Sequence, residues 1–171
     1  MSIPAAARRV ARLLMATSRK VVFAESCTGG LVSGALTAIP GISNHHCGGM
    51  VVYRNESKIV LLDIPRKLLD KVGAVSAKVA SLMAQNILVH TKEADIAASV
   101  TGHLGPGAPP ELDGLVFVAI ARRGNNRRTK PQIKVHKLHC KAAETRLKRQ
   151  RWVVERVLDL LGNELEAVQT S

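Results

Sequence analysis

Glu25-Ser26-Cys27-Thr28-Gly29-Gly30 sets a hydroxyl, a thiol and two glycines in a turn between a short apolar run and a helical pattern. A turn there exposes a side chain at the end of a sheet, which suits nucleophilic chemistry. The N–H groups that open the following helix can hold an oxyanion or a phosphate. Paired glycines let a ligand approach the backbone closely. The same spacing also serves as a plain helix cap. A serine nucleophile needs a base, and no histidine stands in a triad context. The candidate is Lys58, in Tyr53-Arg54-Asn55-Glu56-Ser57-Lys58. If Tyr53 ends a strand and Asn55 opens a helix, both side chains can point to one end of the sheet. A lysine desolvated in a pocket can lose its proton near neutral pH and act as general base. The alternative is a solvated surface lysine, one of 25 basic residues.

Other reactive types compete. Cys27 adjoins Ser26 and is a second candidate nucleophile, or a small buried residue packing under the turn. His45-His46-Cys47 has metal-ligand chemistry, but consecutive residues of an extended segment face alternately and do not converge on one ion. His136, His139 and Cys140 meet the same objection. His103 lies in a Gly-rich loop, where it touches a ligand or sits on the rim.

The elements that must position these residues follow from pattern. The 171 residues fit one domain, and 46% hydrophobic residues suffice for a core. Aromatics are only 2%, so that core is aliphatic. No apolar run approaches a membrane span. Three cysteines without C-x-x-C spacing argue against a disulfide framework and fit a reducing compartment. Residues 1–24 carry five Lys/Arg and no acid, a composition shared by transit peptides and by a first amphipathic helix. The apolar spacing predicts that helix over 3–17, a strand over 20–25 and a helix from Leu31 ending at Pro40-Gly41. A second strand is expected over 49–53, a helix from an Asn55 cap to Leu62, a turn or helix at Pro65 and a longer helix capped by Ser76. Strands over 96–100 and 115–121 flank a Gly/Pro-rich loop, 101–113. A turn at Gly124-Asn125-Asn126 precedes an edge strand containing Ile133 and Val135. The last helix is expected over about 142–161, with Gly162 as its stop and 163–171 as a loose tail. The fold class is therefore α/β: a single three-layer domain, residues 1–162, with a mixed, mostly parallel sheet flanked by helices.

A family resemblance rests on several motifs in this order: Glu25-Ser26-Cys27-Thr28-Gly29-Gly30, Pro40-Gly41-Ile42-Ser43, Tyr53-x-Asn55-Glu56-x-Lys58, Gly73-Ala74-Val75-Ser76 and Thr101-Gly102-x-x-Gly105-Pro106. Together they resemble the C-terminal domain of the CinA family, the nicotinamide mononucleotide deamidase domain. The resemblance covers about residues 5 to 123, and more weakly runs to 162. It implies an amidohydrolase that converts nicotinamide mononucleotide to nicotinate mononucleotide and ammonia. The implied nucleophile is Ser26, the base Lys58, and Tyr53 supports the proton network. Substrate contacts are expected from Thr28, Gly29, Gly30, Ser43, Asn55, Thr101, Gly102 and Gly105. The resemblance also implies a cytoplasmic homodimer that uses neither metal nor cofactor.

The chain departs from the family twice. The stretch after Gly105-Pro106 is short and stiff, Gly107-Ala108-Pro109-Pro110-Glu111-Leu112-Asp113-Gly114, and Leu104 stands where a small alanine is usual. The family's Gly-Asp-Arg before the last helix is replaced near Ala142-Ala143-Glu144. Lys141, Arg146 and Lys148 are the cations that can compensate. These departures motivate a rival reading, a nucleotide-binding member with impaired catalysis.

The formal net charge is +12, and residues 122–151 hold 12 Lys/Arg against Glu144 alone. That excess favours anionic partners. It also supports a third reading, a basic nucleic-acid-binding module, against a solvated edge strand and helix face. No base-reading motif accompanies the block, so nucleic acid is not the expected partner. Binding to duplex DNA or RNA should be weak and indifferent to sequence. Filter retention should collapse between about 50 and 200 mM salt. Tight, sequence-selective retention at physiological salt would restore the nucleic-acid reading.

Overall fold

The computed structural model describes residues 4–124, 129–142 and 144–167. They form a five-stranded sheet between two helical layers. The strands are β1 Val21–Glu25, β2 His46–Val51, β3 Ile96–Gly102, β4 Leu115–Arg122 and β5 Gln132–His139, in the order β2-β1-β3-β4-β5. The pairs β1–β2 and β1–β3 are parallel, whereas β3–β4 and β4–β5 are antiparallel. Four strands thus share one direction and β4 opposes them, which is the mixed, mostly parallel sheet expected. β1 is buried along its whole length, as an apolar run in the middle of a two-sided sheet must be.

Helices α1 (Ala5–Thr17), α2 (Leu31–Thr37) and α6 (Arg146–Ala167) cover one face. They pack Val10, Leu14, Leu36, Val157 and Leu161 against Phe23, Ala98 and Val118. Helices α3 (Asn55–Leu62), α4 (Arg66–Val72) and α5 (Ala77–His90) cover the other, where Leu62, Met83 and Ile87 meet Val22, Ala97 and Ala119. Ser76 caps α5 by accepting from the Val79 N–H at 3.3 Å, as its residue type predicts. No helix of the described residues is long and apolar enough to cross a membrane.

Four expectations are corrected. β2 occupies His46–Val51, not 49–53. His46 already pairs with Val21, and an extra residue at Gly48, with φ +105°, shifts the register before Phe23 meets Gly49. Asn55 is not the cap of α3. Arg54 holds that place, and its N–H donates to Ser57 Oγ at 3.2 Å. The Gly-rich loop begins later than 101, because β3 continues to Gly102. The last helix starts at Arg146 and passes through Gly162 to Ala167, so 163–167 are helical, not tail. Gly162 makes room for Arg9, since a Cβ there would lie 3.1 Å from the guanidinium. Arg9 in turn holds Asn163 at 2.9 Å and Glu166 at 2.6 Å. The expected Asn125-Asn126 turn and residues 168–171 lie outside the described residues.

The strand order reverses beside β1: one connection leaves to β2, the next returns across to β3. A crevice therefore opens at the carboxyl ends of β1 and β3, where open α/β sheets bind ligands. Gly102 closes β3 against β4, and a Cβ there would sit 2.7 Å from Val116 Cγ2 and 2.9 Å from the Leu115 carbonyl. Gly102→Ala should lower stability by roughly 1–3 kcal/mol. Urea titration reads this, and an unchanged midpoint would show that the strands separate without strain.

Candidate active site

Ser26 follows the last residue of β1, and its N–H donates to the Val100 carbonyl of β3 at 3.0 Å. Lys58 lies one turn into α3, just after β2. That strand's continuation is tied to β1 by Val52 N–H donating to the Glu25 carbonyl at 2.8 Å. Two strand ends thus bring the side chains together, and Lys58 Nζ stands 3.1 Å from Ser26 Oγ. The same Nζ donates to the carbonyls of Val52 at 2.7 Å and Tyr53 at 3.4 Å. Lys58 is 1% exposed. Burial pushes its ammonium from 10.5 down to about 8. When neutral, its two N–H groups can serve the two carbonyls and its lone pair can face the Ser26 hydroxyl.

Cys27 lines the same pocket but is buried, and burial pushes its thiol up to about 12. A thiolate there is disfavoured, so the hydroxyl is the better-supported nucleophile.

The pocket holds about 310 Å³ and is walled by Ser26, Tyr53, Lys58, Thr101, the stretch Gly102–Pro109 and Arg146. Thr101, Gly102 and Gly105 are where the sequence expects them. Thr101 is buried, with its hydroxyl donating to the Ala74 carbonyl at 3.0 Å. The hydroxyl of Tyr53 accepts from Arg146 at 2.9 Å, and only its backbone carbonyl reaches Lys58. Its side chain is a wall of the pocket, outside the Ser26–Lys58 contact. His103 lines the pocket, and Leu104 is buried in the core, anchoring the loop.

Thr28, Gly29 and Gly30 shape the turn instead of lining the pocket. Glu25 explains why. Its buried carboxylate accepts from Thr28 Oγ1 at 2.6 Å and from the N–H groups of Gly30, Val32 and Ser33 at 2.8–3.1 Å. The start of α2 is therefore already occupied by an anion, which corrects the expectation of free donors there. The N–H groups of Cys27 and Thr28 remain without a carbonyl or carboxylate acceptor among the described residues. The same holds for Gly105, Gly107 and Ala108. Asn55 is exposed at the start of α3 and is not among the lining residues. Ser43 lies just before β2, at the end where His46 pairs with Val21, opposite the pocket.

The sequence reading named Arg146 as one candidate cation of α6 but did not find Arg149 or Gln150. Arg146 enters the pocket wall and donates to the Gly105 carbonyl at 2.6 Å. Of the three candidate cations, Arg146 is the one that lines the pocket. Glu144 is not among the lining residues, and Ala143 is outside the described residues. Buried Arg149 makes a bidentate pair with Asp113 at 2.7 and 2.9 Å. Gln150 holds the Cys27 carbonyl at 3.1 Å. The signal for these residues was only the 3–4 residue spacing of one helix face.

Elsewhere, His46 Nε2 meets Ser33 Oγ at 2.7 Å and His45 Nδ1 meets the Arg19 carbonyl at 3.0 Å. Parts of the basic block serve the fold: Arg123 caps the end of α5 through the Leu88, Thr91 and Ala94 carbonyls, and Lys134 pairs with Glu164.

The model of the CinA C-terminal domain matches residues 4–165. A CinA-like protein of Geotalea uraniireducens is 40% identical over 162 residues, 91% of this chain and 37% of that protein. One of Geobacter metallireducens is 46% identical over 114 residues, 66% of this chain and 27% of that protein. The chain thus spans about a quarter to a third of these curated relatives. Among solved structures, a CinA superfamily protein of Klebsiella pneumoniae superposes with TM-score 0.86 at 27% identity, covering 98% of this chain and 99% of that one. A competence/damage inducible protein of Agrobacterium tumefaciens gives 0.84 at 32%, covering 97% and 99%.

Any reaction in which Lys58 accepts a proton should gain rate as pH rises through about 8, where the neutral amine becomes dominant. The sign for stability follows from the same shift. Between about 8 and 10.5 the unfolded chain holds the proton more often, so the contribution of Lys58 to stability grows with pH there. Lys58→Arg keeps a permanent charge and should be inactive. Near-native turnover in that variant would remove the lysine from the chemistry.

Proposed function

The chain belongs to the CinA C-terminal domain family, and on the geometry of its pocket we propose that it is an amidohydrolase. It converts nicotinamide mononucleotide to nicotinate mononucleotide and ammonia. The carrying observation is the 3.1 Å contact between a buried lysine and a serine hydroxyl at the floor of the pocket.

Neutral Lys58 takes the Ser26 proton as Oγ attacks the carboxamide carbon. The oxyanion that forms accepts from the N–H groups of Cys27 and Thr28, which have no carbonyl or carboxylate acceptor among the described residues. The lysine ammonium then gives its proton to the departing nitrogen, which leaves as ammonia. Water, deprotonated by the same lysine, attacks the acyl carbon; the ammonium returns that proton to Ser26 Oγ as the ester breaks, and nicotinate mononucleotide leaves. No step calls for a metal or a cofactor. At the mouth, Arg146 and the open N–H groups of Gly105, Gly107 and Ala108 receive the phosphate. Tyr53 borders the path between the two ends.

The binding-only alternative draws on the altered loop and the missing arginine; Arg146 in the pocket wall offers a cation in place of the second. A cytoplasmic homodimer completes the proposal; three free cysteines fit a reducing compartment.

Purified protein incubated with nicotinamide mononucleotide should release ammonia in step with nicotinate mononucleotide. Ser26→Ala should lose that activity by several powers of ten, while Cys27→Ala keeps a measurable rate. Nucleotide binding without ammonia at any pH, with Ser26 and Lys58 intact, would establish the binding-only reading.

A further inference from the structure

We propose that Asp113 is a positioning residue: through Arg149 it fixes the loop segment 104–108 that receives the anionic end of the ligand. The proposal rests on the phosphate placement given above.

Arg149 is 3% exposed, yet each nitrogen of its guanidinium has a partner. Nε donates to the Lys141 carbonyl at 3.1 Å and Nη2 to the Ala142 carbonyl at 2.6 Å. Nη1 and Nη2 grip the two oxygens of Asp113. The guanidinium holds that carboxyl below the usual aspartate range. Asp113 itself closes the short loop, with its N–H donating to the Pro109 carbonyl at 3.0 Å.

The pair presses directly on the pocket loop. Gly105 has φ +62°, and a Cβ there would lie 2.7 Å from Asp113 Oδ1 and 3.0 Å from Arg149 Nη1. The backbone at Gly105 therefore rests against the ion pair with no room for a side chain. One turn earlier on α6, Arg146 takes the Gly105 carbonyl at 2.6 Å. The loop is thus held at its Cα by a buried arginine and at its carbonyl by an exposed one. Its N–H groups at 105, 107 and 108 stay open beside the pocket. By contrast, Ser26 and Lys58 are held by β1, β3 and the β2–α3 connection, and no hydrogen bond of either involves Asp113 or Arg149.

This separation gives a readout that general loss of structure would not. Asp113→Asn keeps the shape and removes the charge; Arg149→Lys keeps the charge and removes the fork. Both should raise KM for nicotinamide mononucleotide by about tenfold and leave kcat within about threefold. Hydrolysis of p-nitrophenyl acetate, which has no phosphate, should stay within about twofold of wild type in both. Hydrogen exchange at 103, 112 and 114, the paired amides that close this loop, should quicken in each variant without bound ligand. Equal losses on both substrates, or wild-type exchange at those amides, would overturn the proposal. If Asp113→Asn fails to fold, Arg149→Lys decides by the same measurements. Wild-type protein that releases no ammonia would sink the proposed function, and the exchange rates would then judge the clamp alone.

Discussion

An ammonium group buried as deeply as that of Lys58 loses its hydration, and two backbone carbonyls and a hydroxyl return only part of it. Much of the local architecture follows from that constraint. β2 must stop at Val51 so that the Val52 and Tyr53 carbonyls turn inward to the amine. α3 must start at once, because Lys58 reaches the strand ends only from its first turn. The Val52 N–H on the Glu25 carbonyl fixes the spacing between the two strands at the point where serine and lysine meet. The lysine is thereby held poised, with its charged form destabilised and its neutral form aimed at one hydroxyl.

Glu25 sets a second constraint with the opposite sign. By occupying the amino end of α2 it satisfies donors that a buried helix start would otherwise leave open. It also places a negative charge at the start of α2, which disfavours a phosphate there. Under the proposed function the anion is received across the crevice instead, by the segment after β3 and the first turn of α6. That helix reaches both walls: Gln150 holds the serine turn, while Arg146 and Arg149 hold the loop. The relative position of nucleophile and anion site is set by one rigid element. Geometry on the scale of an ångström matters for attack on an amide.

The layers, the mixed character of the sheet and the Ser26–Lys58 pairing were legible because each has a local signature. Apolar runs mark strands, 3.6-residue spacing marks helices, and a hydroxyl before paired glycines marks a turn. The misplaced contacts share a different origin. Thr28 and Gly30 were assigned to a ligand, but a carboxylate from the same motif uses them first. Ser43 lies at the other end of the sheet, because α2 carries the chain across before β2 begins. Asp113, Arg149 and Gln150 left no trace, since their partners lie 36 to 123 residues away in sequence. Gly162 looked like a helix stop because glycine usually is one; its real reason is an arginine from α1.

The charge of the chain also reads differently once placed. A run of 12 cations looked like a surface for polyanions. Arg123 instead ties the end of α5 to the sheet, Lys134 fastens β5 to α6, and Arg149 is sealed inside the pocket's supporting pair. Edge strand β5 is held by its ladder with β4 and α6 by its apolar face, and these cations add ties at the edges of both. Lys141 and Lys148 flank Arg146 in sequence, and Arg146 lines the pocket. Under the proposed function, positive potential there raises the local concentration of an anionic substrate near Arg146. The same residue type does structural and binding work because guanidinium can fasten carbonyls and carboxylates inside the fold and still present a fork to phosphate at its edge.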